Sequence, residues 1–491
     1  MADSTNNLRS STIRGIKWSF LTSLSTKLIP PATLIILARI LVPDDFGLYG
    51  ISLVIVNFLA LFLDAGLGKA LIQRNDNIEK AKSVAFYNNL VFSVICYIVI
   101  YCLCPYAGSY FHRTDVINIL RITGLAFLIF PFLYIQRNIL SRELNFKKLF
   151  YLNLTPGLVS GLLSICLAYI GMGVWALVYG YLFGLVLTTI LSWGLVSWRP
   201  RWEYDFKIAK EMMAFGGYAT LEVILGWIIS TVDNIFVGRF LGAPILGIYR
   251  TGYSLAILPS NLVTLPMSMT LYPAFCRMHM DREALKKYYL KSLDLLSLFS
   301  FPSGILVFFT APYFVSLFLG DKWLDAIPII QLISIMGALS CLVAMNPEVY
   351  RAIGRPDIIA KFFMVRAAFS LPTYYLAAQH GIVTLCVSHI ALTVLFVPIN
   401  LYICSKVLGW RWIDLFNQSK MTIVISCVLV IIGIFYEHLF SEQAISQSNL
   451  IISLIFLVLV FLTTACLILF LFDRHKTNEL KLLLLESVGR I

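Results

Sequence analysis

Apolar stretches close to twenty residues long recur from end to end of the chain, separated by short polar segments. A helix of about 20 apolar residues crosses the ~30 Å hydrocarbon core of a bilayer, and within that core only helices and closed barrels satisfy their own backbone. The stretches lie at about Gly15–Leu41, Phe46–Leu63, Ser83–Cys104, Val116–Gln136, Leu149–Ile170 and Val174–Val196. They continue at Met213–Phe240, Ile245–Tyr272, Tyr288–Ala311, Ile327–Val349, Ile358–Ala378, Ile382–Cys404, Met421–Phe435 and Leu450–Phe472. An all-α polytopic membrane protein of about fourteen spanning helices is expected. With 59% hydrophobic and 13% charged residues, a soluble fold of this length could not hide its apolar surface.

The loops test that count, because cytoplasmic loops of membrane proteins carry an excess of Lys and Arg. Alternate loops do so: Lys80 and Lys82, Arg142 and Lys147, Arg199 and Arg201, Arg277 and Arg282, Arg351 and Arg355, Lys406 and Arg411. The other side has little beyond Arg113, Arg239 and Lys322, with acids at Asp44, Asp45, Asp321 and Asp325. A missed helix would invert the alternation after it, so both termini are expected in the cytoplasm. The net charge of +12 belongs to these loops, and since no basic stretch forms a domain, no nucleic acid partner is expected. The polar N-terminus runs straight into a long apolar segment with no small-residue cleavage site, which reads as a retained helix and not a signal peptide.

The chain also repeats itself. Arg39-Ile-Leu followed by Gly47-Leu-Tyr49 returns as Arg239-Phe-Leu followed by Gly247-Ile-Tyr249 at equal spacing. Pro105-Tyr106, Ser109 and Phe111 return as Pro312-Tyr313, Ser316 and Phe318. Six helices separate the copies, so both copies point the same way, the arrangement of two parallel six-helix lobes. The expected organisation is an N-lobe over residues 1–196, a cytoplasmic linker over 197–211, a C-lobe over 212–405, and two further helices with a tail over 406–491.

No nucleotide loop, zinc-protease motif or nucleophile elbow is present, and the external loops leave no room for a catalytic domain. The ten cysteines are scattered without metal-ligand spacing, so neither a metal site nor enzymatic activity is expected. The informative residues are charges inside the spans, each costing about 2.5–3.5 kcal/mol at a helix centre on insertion scales. Lys27, Arg39, Arg121, Arg250 and Arg366 are candidates for a basic cavity that holds an anionic head group. Glu222 and Asp233, about three turns apart on one helix face, are candidates for ion coupling. Arg39 and Arg250 stand near helix ends, where snorkelling to the interface is the alternative. Prolines inside many helices, such as Pro131, Pro259 and Pro372, fit a bundle that bends.

The stretch Ala38-Arg-Ile-Leu-Val-Pro-Asp-Asp-Phe-Gly-Leu-Tyr49, with Asp64-Ala-Gly-Leu-Gly, Gly171-Met-Gly-Val-Trp-Ala-Leu177 and Asp233-Asn-Ile-Phe-Val-Gly-Arg-Phe-Leu-Gly242, resembles the signature of Wzx-type lipid-linked oligosaccharide flippases. Within these it is similar to the colanic-acid and lipopolysaccharide exporter branch of the multidrug/oligosaccharidyl-lipid/polysaccharide (MOP) exporter superfamily. The resemblance implies a MATE-like fold of six plus six helices with two more at the end. It implies export of undecaprenyl-diphosphate-linked oligosaccharide from the cytoplasmic to the periplasmic leaflet of the bacterial inner membrane, by alternating access. The partners it implies are that lipid-linked oligosaccharide, membrane lipid and, as a candidate, the polysaccharide polymerase machinery. A monomer is expected, with no cofactor beyond a coupling H+ or Na+. The motif positions Arg39, Gly47, Asp233 and Gly247 have lobe packing as an alternative role. The competing function is a drug:cation antiporter, but bases outnumber acids in these spans, which favours an anionic cargo.

Overall fold

Helices fill the apolar stretches, and polar caps and glycines set where they begin. The computed structural model describes residues 26–64, 68, 70, 71, 74, 76–143, 145–440 and 447–472. Residues 64, 146, 215–222, 439, 440, 447–450, 465, 466 and 468–472 are described by backbone alone. By contact the chain divides into two units, Met1–Thr251 with Ile359–Leu385, and Gly252–Ile358 with Cys386–Ile491.

The first unit holds α1 (26–40), α2 (Pro43–Asp64), α3 (Ile78–Tyr110), α4 (Asp115–Thr123), α5 (Ala126–Arg142), α6 (Phe146–Tyr169), α7 (Val174–Leu195) and α8 (Phe206–Phe240). It also takes in most of α9 (Gly242–Ala256) and of α14 (Pro356–Gln379). Asp205 starts α8 by accepting from the backbone N–H of Lys207 at 2.8 Å and of Ile208 at 3.3 Å; such a cap stabilises a helix by about 1 kcal/mol. The turn from α6 to α7 places Gly173 at φ +54°, a conformation that side chains with a Cβ resist. In lipid, helices gain no hydrophobic drive against one another and pack through small residues instead. Thus α7 lies on α6 where a Cβ at Gly180 would strike Ser164, and one at Gly184 would lie 3.0 Å from Ser160. The segment read as a linker is strapped to this unit: Tyr204 donates to Asn88 Oδ1 at 2.7 Å, and Arg199 donates to three backbone carbonyls.

The second unit holds α10 (Leu258–Met278), α11 (Arg282–Phe314), α12 (Ala326–Ser340), α13 (Asn346–Ala352), most of α15 (Ile382–Leu408), α16 (Trp412–Phe440) and α17 (Gln447–Phe472). A buried polar network ties α11, α13 and α15 together. Tyr289 donates to Asn346 Oδ1 at 2.7 Å, Asn346 Nδ2 to Asn400 Oδ1 at 2.9 Å, and Tyr350 to the same oxygen at 3.0 Å. Ser297 and Thr422 share a hydrogen bond of 3.3 Å between α11 and α16. The paired prolines of the second repeat occupy like places, Pro105 near the end of α3 and Pro312 near the end of α11, each helix being 33 residues long.

Ten helices among the described residues are long and apolar enough to cross a membrane, or eleven if α9 and α10 count as one bent span. The chain is a multi-pass membrane protein. The other expected spans coincide with α1, described from residue 26, with α14, whose apolar run is interrupted by Lys361 and Arg366, and with α17. No disulfide joins the nine cysteines whose side chains are described.

Candidate functional site: a buried charge cluster

Asp233 is the centre. It stands on α8 with 1% of its surface exposed, deep in a helix whose neighbours are apolar. Its Oδ2 accepts from the Tyr249 hydroxyl at 2.6 Å, and its Oδ1 accepts from the backbone N–H and the side-chain Nδ2 of Asn234, both at 2.8 Å. A carboxylate shielded from water retains its charge only with such donors and a nearby cation. The cation is Arg250, one residue past Tyr249 on α9 and within electrostatic reach of both Asp233 and Tyr49.

Arg250 is held from its other side by α2. Its Nη1 donates to the Gly50 carbonyl at 3.1 Å, and a Cβ at Gly50 would lie 2.7 Å from Arg250 Cδ. Glycine at position 50 therefore makes the room through which the guanidinium reaches the backbone. Tyr49 completes that wall and meets Tyr181 of α7 edge-on, ring centroids 6.4 Å apart.

α14 supplies the second cation. Tyr374, 1% exposed, lies within electrostatic reach of Asp233 and of Arg366. The Arg366 Nε is buried and has no hydrogen-bond partner among the described residues. Buried donors are nearly always satisfied, so an open guanidinium N–H in such a place calls for an acceptor. The cluster thus gathers one carboxylate, two guanidiniums and the hydroxyls of Tyr49, Tyr249 and Tyr374. Its charge favours an anionic guest.

The remaining candidates lie apart from these contacts. Arg121, on α4, sets its guanidinium 4.8 Å over the Tyr101 ring of α3, with its Nε also buried and without a hydrogen bond among the described residues. Lys27 is half-buried on α1. α1 packs on α6, where Gly161 meets Thr33. Arg39 is exposed near the end of α1. The Glu222 side chain lies outside the described residues. Elsewhere, Arg113 grips Asp44 through two bonds of 2.8 and 2.7 Å, and Arg239 pairs with His112.

Sequence reasoning noted Tyr249 only as part of the repeat and passed over Tyr374, since a tyrosine in an apolar run carries no signal of cost. It also passed over Asp294, 2% exposed on α11, whose carboxylate inside an apolar stretch is a signal of the same kind as Asp233.

A family model described as polysaccharide biosynthesis protein matches residues 36–328. The chain is 25% identical over 352 residues to the teichuronic acid biosynthesis protein TuaB of Bacillus subtilis, covering 70% of this chain and 72% of that one. It is 24% identical over 375 residues to the lipopolysaccharide biosynthesis protein WzxC of Escherichia coli, covering 76% of each. Over 484 residues it is 23% identical to the succinoglycan biosynthesis transport protein ExoT of Rhizobium meliloti, covering 95% and 96%. In fold it is similar to the lipid II flippase MurJ in an inward closed conformation, with a TM-score of 0.75 at 14% identity, covering 92% of this chain and 99% of that one. An inward-facing multidrug resistance MATE family transporter of the MOP superfamily follows at a TM-score of 0.63 and 15% identity, covering 79% and 99%.

Proposed function

From the premise that the chain belongs to the polysaccharide biosynthesis protein family, transporters of the MOP superfamily and not enzymes, we propose that it flips undecaprenyl-diphosphate-linked oligosaccharide units. They pass from the cytoplasmic to the periplasmic leaflet of the bacterial inner membrane, for surface polysaccharide assembly. The observation that carries this reading is the buried cluster of Asp233, Arg250 and Arg366, with its surplus of positive charge and the open Nε–H of Arg366. A diphosphate offers several strong acceptors, and guanidiniums bind such oxygens through planar, forked hydrogen bonds. The polyprenyl tail stays in lipid while the head group crosses, so only the head needs a polar path.

In this reading the chain spans the membrane fourteen times with both termini in the cytoplasm. Two six-helix repeats, residues 1–196 and 212–405, joined by 197–211 and followed by two further helices, alternate access to the cluster. Arg250 and Arg366 contact the diphosphate, and Lys27, Arg121 and Arg39 line its route. Asp233, with Glu222, takes up the coupling H+ or Na+. The alternation of basic loops along the sequence supports the topology.

The test is a lipid extraction from cells lacking the protein, with surface polysaccharide assayed in parallel. Accumulated polyprenyl-diphosphate oligosaccharide with polymer lost is the expected result, and its mass identifies the sugar. Unchanged lipid intermediates with unchanged polymer would refute the reading and turn attention to a drug:cation antiport.

A further inference from the structure

The first unit carries a second gathering of charge, apart from the buried cluster and at the basic ends of its helices. A cavity of about 590 Å³ lies between the start of α3, the end of α5 and the strap that precedes α8. Its walls hold Glu79, Lys80 and Lys82 of α3, Arg142 and Glu143 at the end of α5, and Arg201 and Glu203 of the strap. Two of the bases are committed. Lys82 pairs with Glu79 at 2.7 Å, and Arg142 Nη1 donates to the carbonyls of Leu71 and Arg74 at 2.5 and 2.6 Å. The side chains of Lys80, Arg201, Glu143 and Glu203 have no hydrogen bond or ion pair among the described residues. Two bases and two acids thus line one cavity without neutralising each other.

The helix ends sort these charges. α3 begins at the cavity through Asn77 and Ile78, and its first N–H groups favour negative charge on the side of Lys80. Asn77, at φ +46°, makes no side-chain cap to those groups. α5 ends at the cavity, and its last carbonyls favour positive charge on the side of Glu143. A guest with an anion and a cation side by side satisfies both ends.

The surroundings are those of a bilayer's head-group layer. Trp202, 96% exposed, stacks on Tyr87 with ring centroids 5.7 Å apart, and Tyr204 ties the strap to Asn88. Exposed indole and phenol rings beside Lys and Arg are the composition of a membrane interface. By helical spacing Lys80 shares one face of α3 with Tyr87, Val91, Ile95 and Ile98. The last three are exposed on a span, so an apolar track runs up the helix from the cavity's lysine.

We propose that this cavity binds the head of a phospholipid that carries a phosphate next to a primary ammonium. Lys80, Arg201 and the first N–H groups of α3 donate to the phosphate. The ammonium donates to Glu143 and Glu203, and an acyl chain lies along Val91, Ile95 and Ile98. A purely anionic head would stand against the two carboxylates, and a choline head has no N–H to give them. The inference requires only that the chain spans a membrane, and it holds for any cargo.

The test exposes the full chain, purified in detergent, to equal amounts of phosphatidylethanolamine, phosphatidylcholine and phosphatidylglycerol with identical acyl chains. Retained lipid is counted by native mass spectrometry. Phosphatidylethanolamine should be retained in about tenfold preference to phosphatidylcholine, the factor for one charge-assisted hydrogen bond given up. Glu143→Gln with Glu203→Gln should abolish that preference and raise retention of phosphatidylglycerol. Lys80→Gln with Arg201→Gln should lower retention of all three. The four side chains are exposed, so both variants keep the fold. Equal retention of phosphatidylethanolamine and phosphatidylcholine by the unaltered chain would overturn the proposal, as would tighter retention of phosphatidylglycerol or a preference that both variants keep. Glycerophosphoethanolamine, the same head without acyl chains, separates a lipid from a soluble ligand. At matched concentration it should leave the lipid in place, and displacement would overturn the lipid assignment.

Discussion

Asp233→Asn preserves the shape of the cluster and removes its one described negative charge. Its cost follows from the contacts. Tyr249 donates to Asp233 Oδ2 at 2.6 Å, and a hydrogen bond to a charged acceptor stabilises by about 1.5–3 kcal/mol against about 1 for a neutral one. That step loses about 1 kcal/mol. Arg250 then stays in the cluster with the Gly50 carbonyl and Tyr49 beside it but no counter-charge among the described contacts. Removing one partner of a buried pair costs about 3–5 kcal/mol, and the half-exposed position of Arg250 argues for the lower end. The single variant should therefore lose about 3–4 kcal/mol, measured by reversible unfolding in mixed micelles. The double variant Asp233→Asn with Arg250→Gln removes the uncompensated charge and should recover about 2 kcal/mol, a coupling energy in the range of contacting residues. Export should fail in both, because neither retains the carboxylate. A loss below about 1 kcal/mol in Asp233→Asn, or strict additivity in the double variant, would refute the view that these two charges stabilise one another.

Tyr249→Phe deletes the 2.6 Å bond to Asp233 and should cost about 1.5–3 kcal/mol, read from the same unfolding curves. Arg366→Met should leave stability unchanged or higher, since it removes a buried N–H without a partner among the described residues, while cutting surface polysaccharide at least about tenfold; stable export from this variant would dismiss Arg366 as a contact to cargo. Asn346→Ala takes the acceptor from Tyr289 and one of two donors from Asn400 Oδ1 in the second unit, and should lower stability by about 1–3 kcal/mol. Outside the spans, the hydrogen bond from Arg74 holds the Asp76 carboxyl below its ordinary pKa. The support it supplies is complete above the ordinary value of about 3.9 and is lost as pH falls through the lowered one. Thermal unfolding between about pH 3 and 7 should show an acid-side loss in the wild type that Arg74→Gln lacks.

The helices were legible because a bilayer fixes their length. Each expected stretch from Phe46 onward coincides with a helix, and the basic caps of the loops lie between them. Breaks were less legible. α4 and α5 form one run with a turn at Gly124 and Leu125, and α9 parts from α10 before Pro259, where only the proline gave notice. The division by contact, which groups α8 and most of α14 with the amino-terminal helices, had no counterpart in hydropathy, because apolar runs record depth in the membrane and say nothing of which neighbour a helix meets.

The site follows the same logic. Asp233, Arg250 and Arg366 were singled out one at a time by the cost of a charge in lipid, and cost is a property of the single residue. Their meeting depends on α14, far along the chain, returning to the consecutive pair α8 and α9, which no local pattern encodes. What the sequence did carry was the repeat, and the repeat turns out to supply the meeting place. Glycine at 47 and 247 lets α2 and α9 cross at backbone distance, and glycine at 50 admits Arg250 to the carbonyl beneath it. Arg250 then stands where it faces Asp233. The motif and the charges thus meet at one place: the glycines set how closely two helices approach, and that approach brings the Arg250 guanidinium to the Gly50 carbonyl. A substitution at Gly50 should on this ground resemble one at Arg250 in its effect on export, although glycine itself has no group that could touch a cargo.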